Sequence, residues 1–221
     1  AMPGAVDQAG GTVASSPNLP GFESPRPVPI GPSVSEALGG VRVALGNDVS
    51  LGGLNSSSDV IDGNTGDDIL IGDQGELIFD ADGDLDTLDL VRSFTDGIGG
   101  SDSISGNEGN DILIGGTAGD SMSGNDGEDI LLGDNARIEL LGAAGRLLVQ
   151  VAEMPAASAI DFITTTDLVE TTGGADTMAG NAGADILFGG VNNGGVDQMH
   201  GDSAVPVNAQ DGADILVGDN G

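Results

Sequence analysis

One phrase of sequence recurs along this chain every nine residues. Asp102, Asp111 and Asp120 follow one another at this interval, and the text around such Asp residues repeats with them. A fixed short period is typical of repeat architectures, in which each unit is stabilised by stacking on its neighbours. Four units have almost the same sequence: GNTGDDILI (63–71), GNEGNDILI (106–114), GNDGEDILL (124–132) and GNAGADILF (180–188).

Each unit reads as a Gly-rich turn of six residues that ends in Asp, followed by a strand of three residues. Gly at the first and fourth places permits positive φ and a tight reversal. A short strand with one inward and two outward side chains explains why the eighth place is always apolar. The eighth-place residues are Ile61, Leu70, Ile104, Leu113, Met122, Leu131, Met178, Leu187, Met199 and Leu216. The predicted fold class is all-β, a parallel β-roll (β-solenoid) with an aliphatic core.

The charge of the chain limits its partners. Asp and Glu number 36 against five Lys and Arg, which gives a formal charge of −31. Nucleic acids and anionic membranes attract basic residues, so we expect no nucleic-acid partner. No apolar run approaches the ~20 residues of a membrane span, so we expect no membrane insertion either. So much acid requires neutralisation, and cations are the partner that the composition indicates.

The repeats resemble the glycine-rich nonapeptide family (GGxGxDxUx) of bacterial repeats-in-toxin (RTX) proteins, whose β-roll binds Ca²⁺ in its turns. Asn replaces the second Gly in several units, and Asn also accepts left-handed backbone geometry. The residues concerned are Asn64, Asn107, Asn125 and Asn181. The resemblance implies two nonapeptides per coil, so that residues eighteen apart stack. It also implies several Ca²⁺ ions, each held between stacked turns by one Asp from each turn.

Carried over to this chain, the resemblance assigns the metal ligands to the sixth-place Asp residues and to turn glycines, which offer carbonyl oxygens. The Asp residues are Asp59, Asp68, Asp102, Asp111, Asp120, Asp129, Asp176, Asp185, Asp197 and Asp214. The glycines are Gly63, Gly66, Gly106, Gly109, Gly115, Gly124, Gly127, Gly180 and Gly183. The most regular turns predict the pairs Asp102 with Asp120, Asp111 with Asp129, Asp68 with Asp111 and Asp129 with Asp185.

The repeats are interrupted twice without loss of phase. We predict that the insertions at 72–101 and 133–175 are oversized turns of a β-roll that occupies 54–221. Each begins with a β-hairpin pattern: ELIF, Asp82-Gly83 and LDTLDLV in the first, and RIELL, GAAG and RLLVQV in the second. Residues 1–53 form a Pro- and Gly-rich extended segment, interpreted as part of a preceding loop. GDNG (218–221) repeats the opening of the insertions, which suggests a segment of a longer array.

The seventh and ninth places differ between alternate units. Odd units carry polar residues such as Ser103 and Ser105, while even units carry apolar ones such as Ile112 and Ile130. These places face outward, so one outer sheet face is polar and the other apolar. An apolar face of this length needs a cover. Two alternatives exist: the hairpins fold back over it, or a neighbouring chain makes lateral contact through it or through the long loops.

Three further patterns carry local predictions. Ser33 and Glu36 suggest a capping box on one helical turn before Gly39. The acidic run 80–86 resembles an EF-hand loop, but its Gly is misplaced and no Glu closes it, so a solvated hairpin tip is favoured. His200 is the only His and occupies an outward ninth place, which predicts a surface residue.

No catalytic constellation is recognisable, since Cys is absent and the single His has no identifiable partner. We therefore predict a non-enzymatic module that folds on binding Ca²⁺ outside the cell after type I export. It would serve as a structural or stalk segment of a large secreted or surface, adhesin-like protein, in contact with flanking repeats of the same chain. The alternative is a Ca²⁺-triggered folding and export module of a secreted enzyme. Ice or carbohydrate binding is disfavoured, because repeated Thr and aromatic platforms are missing.

Overall fold

The computed structural model describes residues 34–36, 49–53, 56–78, 88–94, 97–140, 162–167, 172–202 and 212–218. These ranges contain sixteen β-strands, numbered here in chain order, arranged in three sheets. They contain no helix long and apolar enough to cross a bilayer. The all-β prediction is confirmed.

Two parallel sheets form the body of the roll. Sheet A has the order β1-β2-β4-β8-β10-β14-β16, and sheet B has the order β15-β13-β9-β7-β3. Sheet A contains β1 (Val34–Glu36), β2 (Val49–Leu51), β4 (Ile69–Ile71), β8 (Ile112–Gly116), β10 (Ile130–Asp134), β14 (Ile186–Phe188) and β16 (Ile215–Val217). Sheet B contains β3 (Val60–Thr65), β7 (Ser103–Glu108), β9 (Ser121–Asp126), β13 (Thr177–Ala182) and β15 (Gln198–Asp202).

The strand register confirms the coil length. Ser103 pairs with Ser121 in sheet B, and Ile112 pairs with Ile130 in sheet A, each pair separated by eighteen residues. The same rows continue across the second insertion, where Ile130 pairs with Ile186. The parallel register is therefore the same before and after each insertion.

The first core lies between sheets A and B and consists of the predicted eighth-place side chains. Each strand contributes one inward side chain to this core, because the side chains of successive residues in a strand point to opposite faces of the sheet. Burial of each such side chain contributes roughly 1.5–3 kcal/mol. Leu216 in the last strand is the least covered, at 43% exposed. The buried members are Ile61, Leu70, Ile104, Leu113, Met122, Leu131, Met178 and Leu187.

A third sheet covers the apolar outer face of sheet A. Sheet C is antiparallel in the order β12-β11-β6-β5 and comes entirely from the two insertions. Its strands are β5 (Gly75–Ile78), β6 (Leu90–Ser93), β11 (Ala136–Glu139) and β12 (Phe162–Thr165). Val91 and Ile138 of sheet C are fully buried in one cluster with Ile112 and Ile130 of sheet A. Of the two alternatives for the cover, the folded-back loops are therefore confirmed.

The loop pairing differs in part from the hairpin prediction. β5 pairs with β6, with Leu77 opposite Val91, and Leu90 and Val91 belong to the predicted partner LDTLDLV. The predicted turn at 82–83 lies outside the described residues. β11 (ARIE) pairs with β12 (FITT) and with β6 of the other loop, so Ile138 lies between Ile163 and Val91. GAAG and RLLVQV also lie outside the described residues. The alternative prediction, that a neighbouring chain contacts the roll through Ile112 and Ile130, is wrong because sheet C buries both side chains.

Two findings concern the N-terminal third. Residues 34–36 form strand β1, so the helical turn predicted from Ser33 and Glu36 is wrong. β1 pairs with β2, and β2 pairs with β4, with Val49 opposite Ile69. Parallel pairing in sheet A outweighs the local capping pattern here, since a single isolated helical turn is unstable in water. Sheet A therefore includes two strands, β1 and β2, from the segment 1–53, for which the sequence predicted an extended conformation.

Candidate calcium-binding turns

The sixth-place Asp residues form two columns, one along each edge of the roll. Each carboxylate lies at the end of a turn, directly before a strand of sheet A or sheet B. Eight of the ten predicted Asp residues are buried, and Asp197 and Asp214 are half-buried. The buried residues are Asp59, Asp68, Asp102, Asp111, Asp120, Asp129, Asp176 and Asp185.

Successive carboxylates in a column are joined by a repeated hydrogen bond. The backbone N–H of each Asp donates to Oδ1 of the Asp in the next coil, at 2.7–3.0 Å. All four pairs predicted from the regular turns are brought together, and the pairs that involve enlarged turns have the same geometry. The donor–acceptor pairs are Asp59–Asp102, Asp68–Asp111, Asp102–Asp120, Asp111–Asp129, Asp120–Asp176, Asp129–Asp185, Asp176–Asp197 and Asp185–Asp214.

The second oxygen of several carboxylates has no hydrogen-bond partner although it is buried. This applies to Oδ2 of Asp102, Asp111, Asp120, Asp129 and Asp185. Buried polar atoms are almost always hydrogen-bonded, and an unpaired carboxylate oxygen is especially unfavourable. A cation is the partner that these oxygen atoms fit, and they recur once per turn.

First-place glycines bring these oxygen atoms close to backbone carbonyls. A Cβ added to Gly106 would collide with Asp111 Oδ2 and lie 2.9 Å from the carbonyl oxygen of Gly124. A Cβ added to Gly63 would collide with Asp68 Oδ2 and lie 2.8 Å from the carbonyl oxygen of Gly106. Carboxylate and carbonyl oxygens from two coils therefore converge on one point. A hard cation such as Ca²⁺ prefers such oxygen ligands. The carboxylate has the same position over Gly115, Gly124 and Gly180.

Fourth-place glycines and second-place asparagines provide the positive φ angles that the turns require. The glycine φ values run from 114° at Gly66 to 140° at Gly109, and Gly127 and Gly183 lie between them. The four asparagines have φ values of 70–84°, which confirms that Asn accepts left-handed geometry here.

The asparagines also form a ladder that the sequence analysis missed. Asn125 Nδ2 donates to Ser105 Oγ at 3.0 Å, and Asn181 Nδ2 donates to Ser123 Oγ at 2.9 Å. Within one coil, Ser123 Oγ donates to Asn125 Oδ1 at 3.0 Å. The recurrent phrase S-x-S-G-N was the available signal, since a ninth-place Ser precedes Asn by two residues in two units.

Burial raises the pKa values of several turn carboxylates well above their ordinary value of 3.8. The pKa is raised to about 10 at Asp120, about 8 at Asp129 and about 7 at Asp102. Desolvation is the main cause, the backbone N–H of the stacked Asp opposes it, and neighbouring carboxylates add to it. The metal-free turns therefore disfavour ionised carboxylates, which is the reason that they need a positive partner.

The remaining predicted features are easily placed. Within the described ranges no group of three or more Asp, Glu, His or Cys side chains is placed to hold a metal ion. His200 is exposed on β15, in agreement with its surface assignment. The EF-hand-like run, 80–86, lies outside the described residues. Asp73 and Asp134, which the sequence analysis did not select, are buried at the start of the two insertions.

The fold and the turns define a calcium-binding parallel β-roll. Its features are stacked Gly-Asp turns, short parallel strands with one inward side chain each, and buried carboxylate oxygens without a hydrogen-bond partner. The model of one family, described as RTX calcium-binding nonapeptide repeat (4 copies), matches residues 55–88, 96–131 and 164–196. These segments are therefore RTX calcium-binding nonapeptide repeats, their cofactor is Ca²⁺, and the several repeats imply several ions. No curated protein and no solved structure matches the chain.

Proposed function

We propose that this chain is a folding switch controlled by Ca²⁺. The observation that carries the proposal is the buried Oδ2 atom left without a hydrogen-bond partner at turn after turn. Each ion would lie between stacked turns and bind one Asp from each, for example Asp102 with Asp120 and Asp111 with Asp129. First- and fourth-place glycines such as Gly106 and Gly109 would supply carbonyl oxygens.

Electrostatics supports the coupling of binding to folding. Two carboxylates about 4 Å apart repel by roughly 4 kcal/mol at an intermediate dielectric constant. Several such pairs in a narrow roll oppose folding, and burial adds to the cost of every charged group. Bound Ca²⁺ turns this repulsion into attraction, so that the free energy of binding becomes free energy of folding.

The setting that suits such a switch is extracellular. Modules outside the cell bind Ca²⁺ with dissociation constants of about 10⁻⁴–10⁻³ M, which cytosolic concentrations do not fill. The chain would thus stay unfolded during type I export and become rigid outside. RTX repeats are typical of type I secreted proteins, which supports this localisation.

Within this setting we propose a structural, stalk-like segment of a large secreted or surface protein. Sheet C supports this role, because it joins strands of two insertions into one sheet and adds a second core along the roll. The alternative is a folding and export module appended to a secreted enzyme. Mass spectrometry of the intact secreted polypeptide separates the two, since an adjoining catalytic domain would favour the alternative.

The switch itself is tested by circular dichroism and analytical sedimentation of the calcium-free chain during titration with Ca²⁺, with Mg²⁺ as the control. We expect a cooperative gain of β structure and compaction with Ca²⁺ near millimolar concentration and no such gain with Mg²⁺. A chain that is already folded in excess chelator would overturn the switch, because packing alone would then hold the roll.

A further inference from the structure

Asp73 and Asp134 occupy the second place of the two turns that carry the insertions. On the same edge of the roll, the turns before, between and after them have glycine at this place: Gly53, Gly116 and Gly190, with φ values of 97°, 112° and 103°. Both Asp residues are almost fully buried, at 2% and 0% exposed. Among the turns that the structure describes, a buried acid at this place is therefore found in the two loop-bearing turns.

The two carboxylates make the same pair of contacts. Asp73 Oδ1 accepts the N–H of Gly100 at 3.1 Å, and its Oδ2 accepts the N–H of Thr117 at 2.6 Å. In the second insertion, Asp134 Oδ1 accepts the N–H of Gly174 at 3.2 Å, and its Oδ2 accepts the N–H of Val191.

The donors lie at corresponding points of the chain. Gly100 and Gly174 end the two insertions, two residues before the sixth-place Asp, while Thr117 and Val191 belong to the turn of the next coil. One carboxylate therefore joins the start of a loop, the end of that loop and the following turn. The loops differ in length, since the first contact spans 27 residues and the second spans 40. The contact is thus independent of what is inserted.

Glycines on both sides make room for each carboxylate. A Cβ added to Gly116 would lie 3.1 Å from Asp73 Cβ and closer still to its Oδ2, and a Cβ added to Gly99 would collide with the same carboxylate. Gly190 and Gly173 have the same relation to Asp134. The same arrangement is therefore present in both insertions.

We propose that Asp73 and Asp134 act as carboxylate clasps that hold the two long loops to the roll, and that neither is a calcium ligand. Each of their oxygen atoms already accepts a backbone N–H, whereas Oδ2 of Asp102 and Asp120 accepts none. A charged acceptor shared by two N–H groups fixes the base of the loop. With both ends of a loop fixed, its strands are positioned to pack as sheet C on sheet A.

The test uses the full chain saturated with Ca²⁺. Asp134→Asn replaces one accepting oxygen with an NH₂ group, so hydrogen exchange at the amides of Gly174 and Val191 should accelerate by about tenfold or more. The number of bound Ca²⁺ ions, measured by equilibrium dialysis, should stay the same. Gly190→Ala should accelerate the same two amides while Asp134 is intact, and Asp126→Asn is the control for loss of an exposed acid.

Asp73→Asn and Gly116→Ala repeat the experiment in the first insertion, with Gly100 and Thr117 as the reporting amides. Loss of one bound ion in Asp134→Asn or Asp73→Asn, with none lost in Asp126→Asn, would show that the carboxylate is a ligand and overturn the proposal. Unchanged exchange at the reporting amides would overturn it equally. If a variant fails to fold, hydrogen exchange of the unmodified chain tests the proposal instead. Rapid exchange at all four reporting amides would exclude a clasp.

Discussion

The backbone N–H of Asp102 donates a 2.8 Å hydrogen bond to Oδ1 of Asp120, its stacking partner in the next coil. The other oxygen of Asp120, Oδ2, is buried without a hydrogen-bond partner. The two oxygens of one carboxylate thus differ: Oδ1 joins neighbouring coils, and Oδ2 is the atom to which we assign the cation in the proposed function. Substitutions that keep one role and remove the other separate folding geometry from metal binding.

Asp120→Asn is the first such substitution. The amide oxygen of Asn still accepts the N–H of Asp102, but the ligand charge is lost, so we expect the dissociation constant for Ca²⁺ to rise by roughly tenfold or more. Calorimetric titration measures this change. Asp126→Asn is the matched control, because Asp126 is an exposed acid of the neighbouring turn. Equal effects of the two variants would mean that net charge, and not ligation by Asp120, governs affinity.

Metal-free stability should depend on pH in an unusual direction. The folded-state pKa values of about 7 at Asp102, 8 at Asp129 and 10 at Asp120 exceed the ordinary value of 3.8. Between that value and the raised pKa values, the folded chain holds more protons than the unfolded chain. Its free energy of unfolding therefore increases as the pH falls through this window and is lost as the pH rises through it.

Urea unfolding of the calcium-stripped chain at about pH 5 and about pH 9 measures this dependence. We expect a folded population at the lower pH and none at the higher one. In saturating Ca²⁺ the order reverses, since the ligands bind the ion as deprotonated carboxylates. A calcium-stripped chain that is more stable at the higher pH would contradict the assignment of buried, raised-pKa carboxylates.

The sequence predicted the periodic part of the molecule well. The nine-residue spacing, together with the two-unit coil that the family resemblance implies, placed Asp102 on Asp120, and the register across the insertions followed from the same count. The clasps were not predictable, because the partners of Asp73 are backbone N–H groups far along the chain, and a sequence does not show which amides lack an acceptor. Pairing of β11 with β12 and β6 was missed for a similar reason. Antiparallel strands from two loops pair according to how they pack on sheet A, whereas the local pattern favoured a hairpin within RIELL–RLLVQV.

Gly106→Ala tests the convergence of oxygen atoms over the first-place glycine. The new Cβ would collide with Asp111 Oδ2, so we expect loss of the ion at that turn and a lower midpoint of thermal unfolding in Ca²⁺. Gly194→Ala is the control, since nothing lies within 4 Å of its added Cβ, and only its φ of 80° opposes Ala, at about 1–2 kcal/mol. Retention of every ion in Gly106→Ala, counted by equilibrium dialysis, would place the site elsewhere.

Ile138→Ala tests the second core. Ile138 is fully buried between β6, β12 and the apolar face of sheet A, so its truncation should cost about 2–5 kcal/mol in saturating Ca²⁺. Thr164→Ala is the control, because Thr164 is opposite Arg137 on the other face of sheet C. Urea unfolding monitored in Ca²⁺ compares the two. A loss for Ile138→Ala no larger than that for Thr164→Ala would mean that sheet C contributes little to holding the roll.

Asn125 combines a left-handed backbone with a place in the side-chain ladder, and two substitutions separate these properties. Asn125→Gly keeps the φ of 84° accessible and loses the hydrogen bonds to Ser105 and Ser123, at a net cost of roughly 1 kcal/mol. Asn125→Ala loses the same hydrogen bonds and adds the strain of a Cβ at positive φ, about 1–2 kcal/mol more. We therefore expect stability in saturating Ca²⁺ to decrease from the unmodified chain to Asn125→Gly and then to Asn125→Ala. Asn125→Gly as stable as the unmodified chain would show that the ladder contributes nothing, leaving backbone conformation as the sole reason for Asn at the second place.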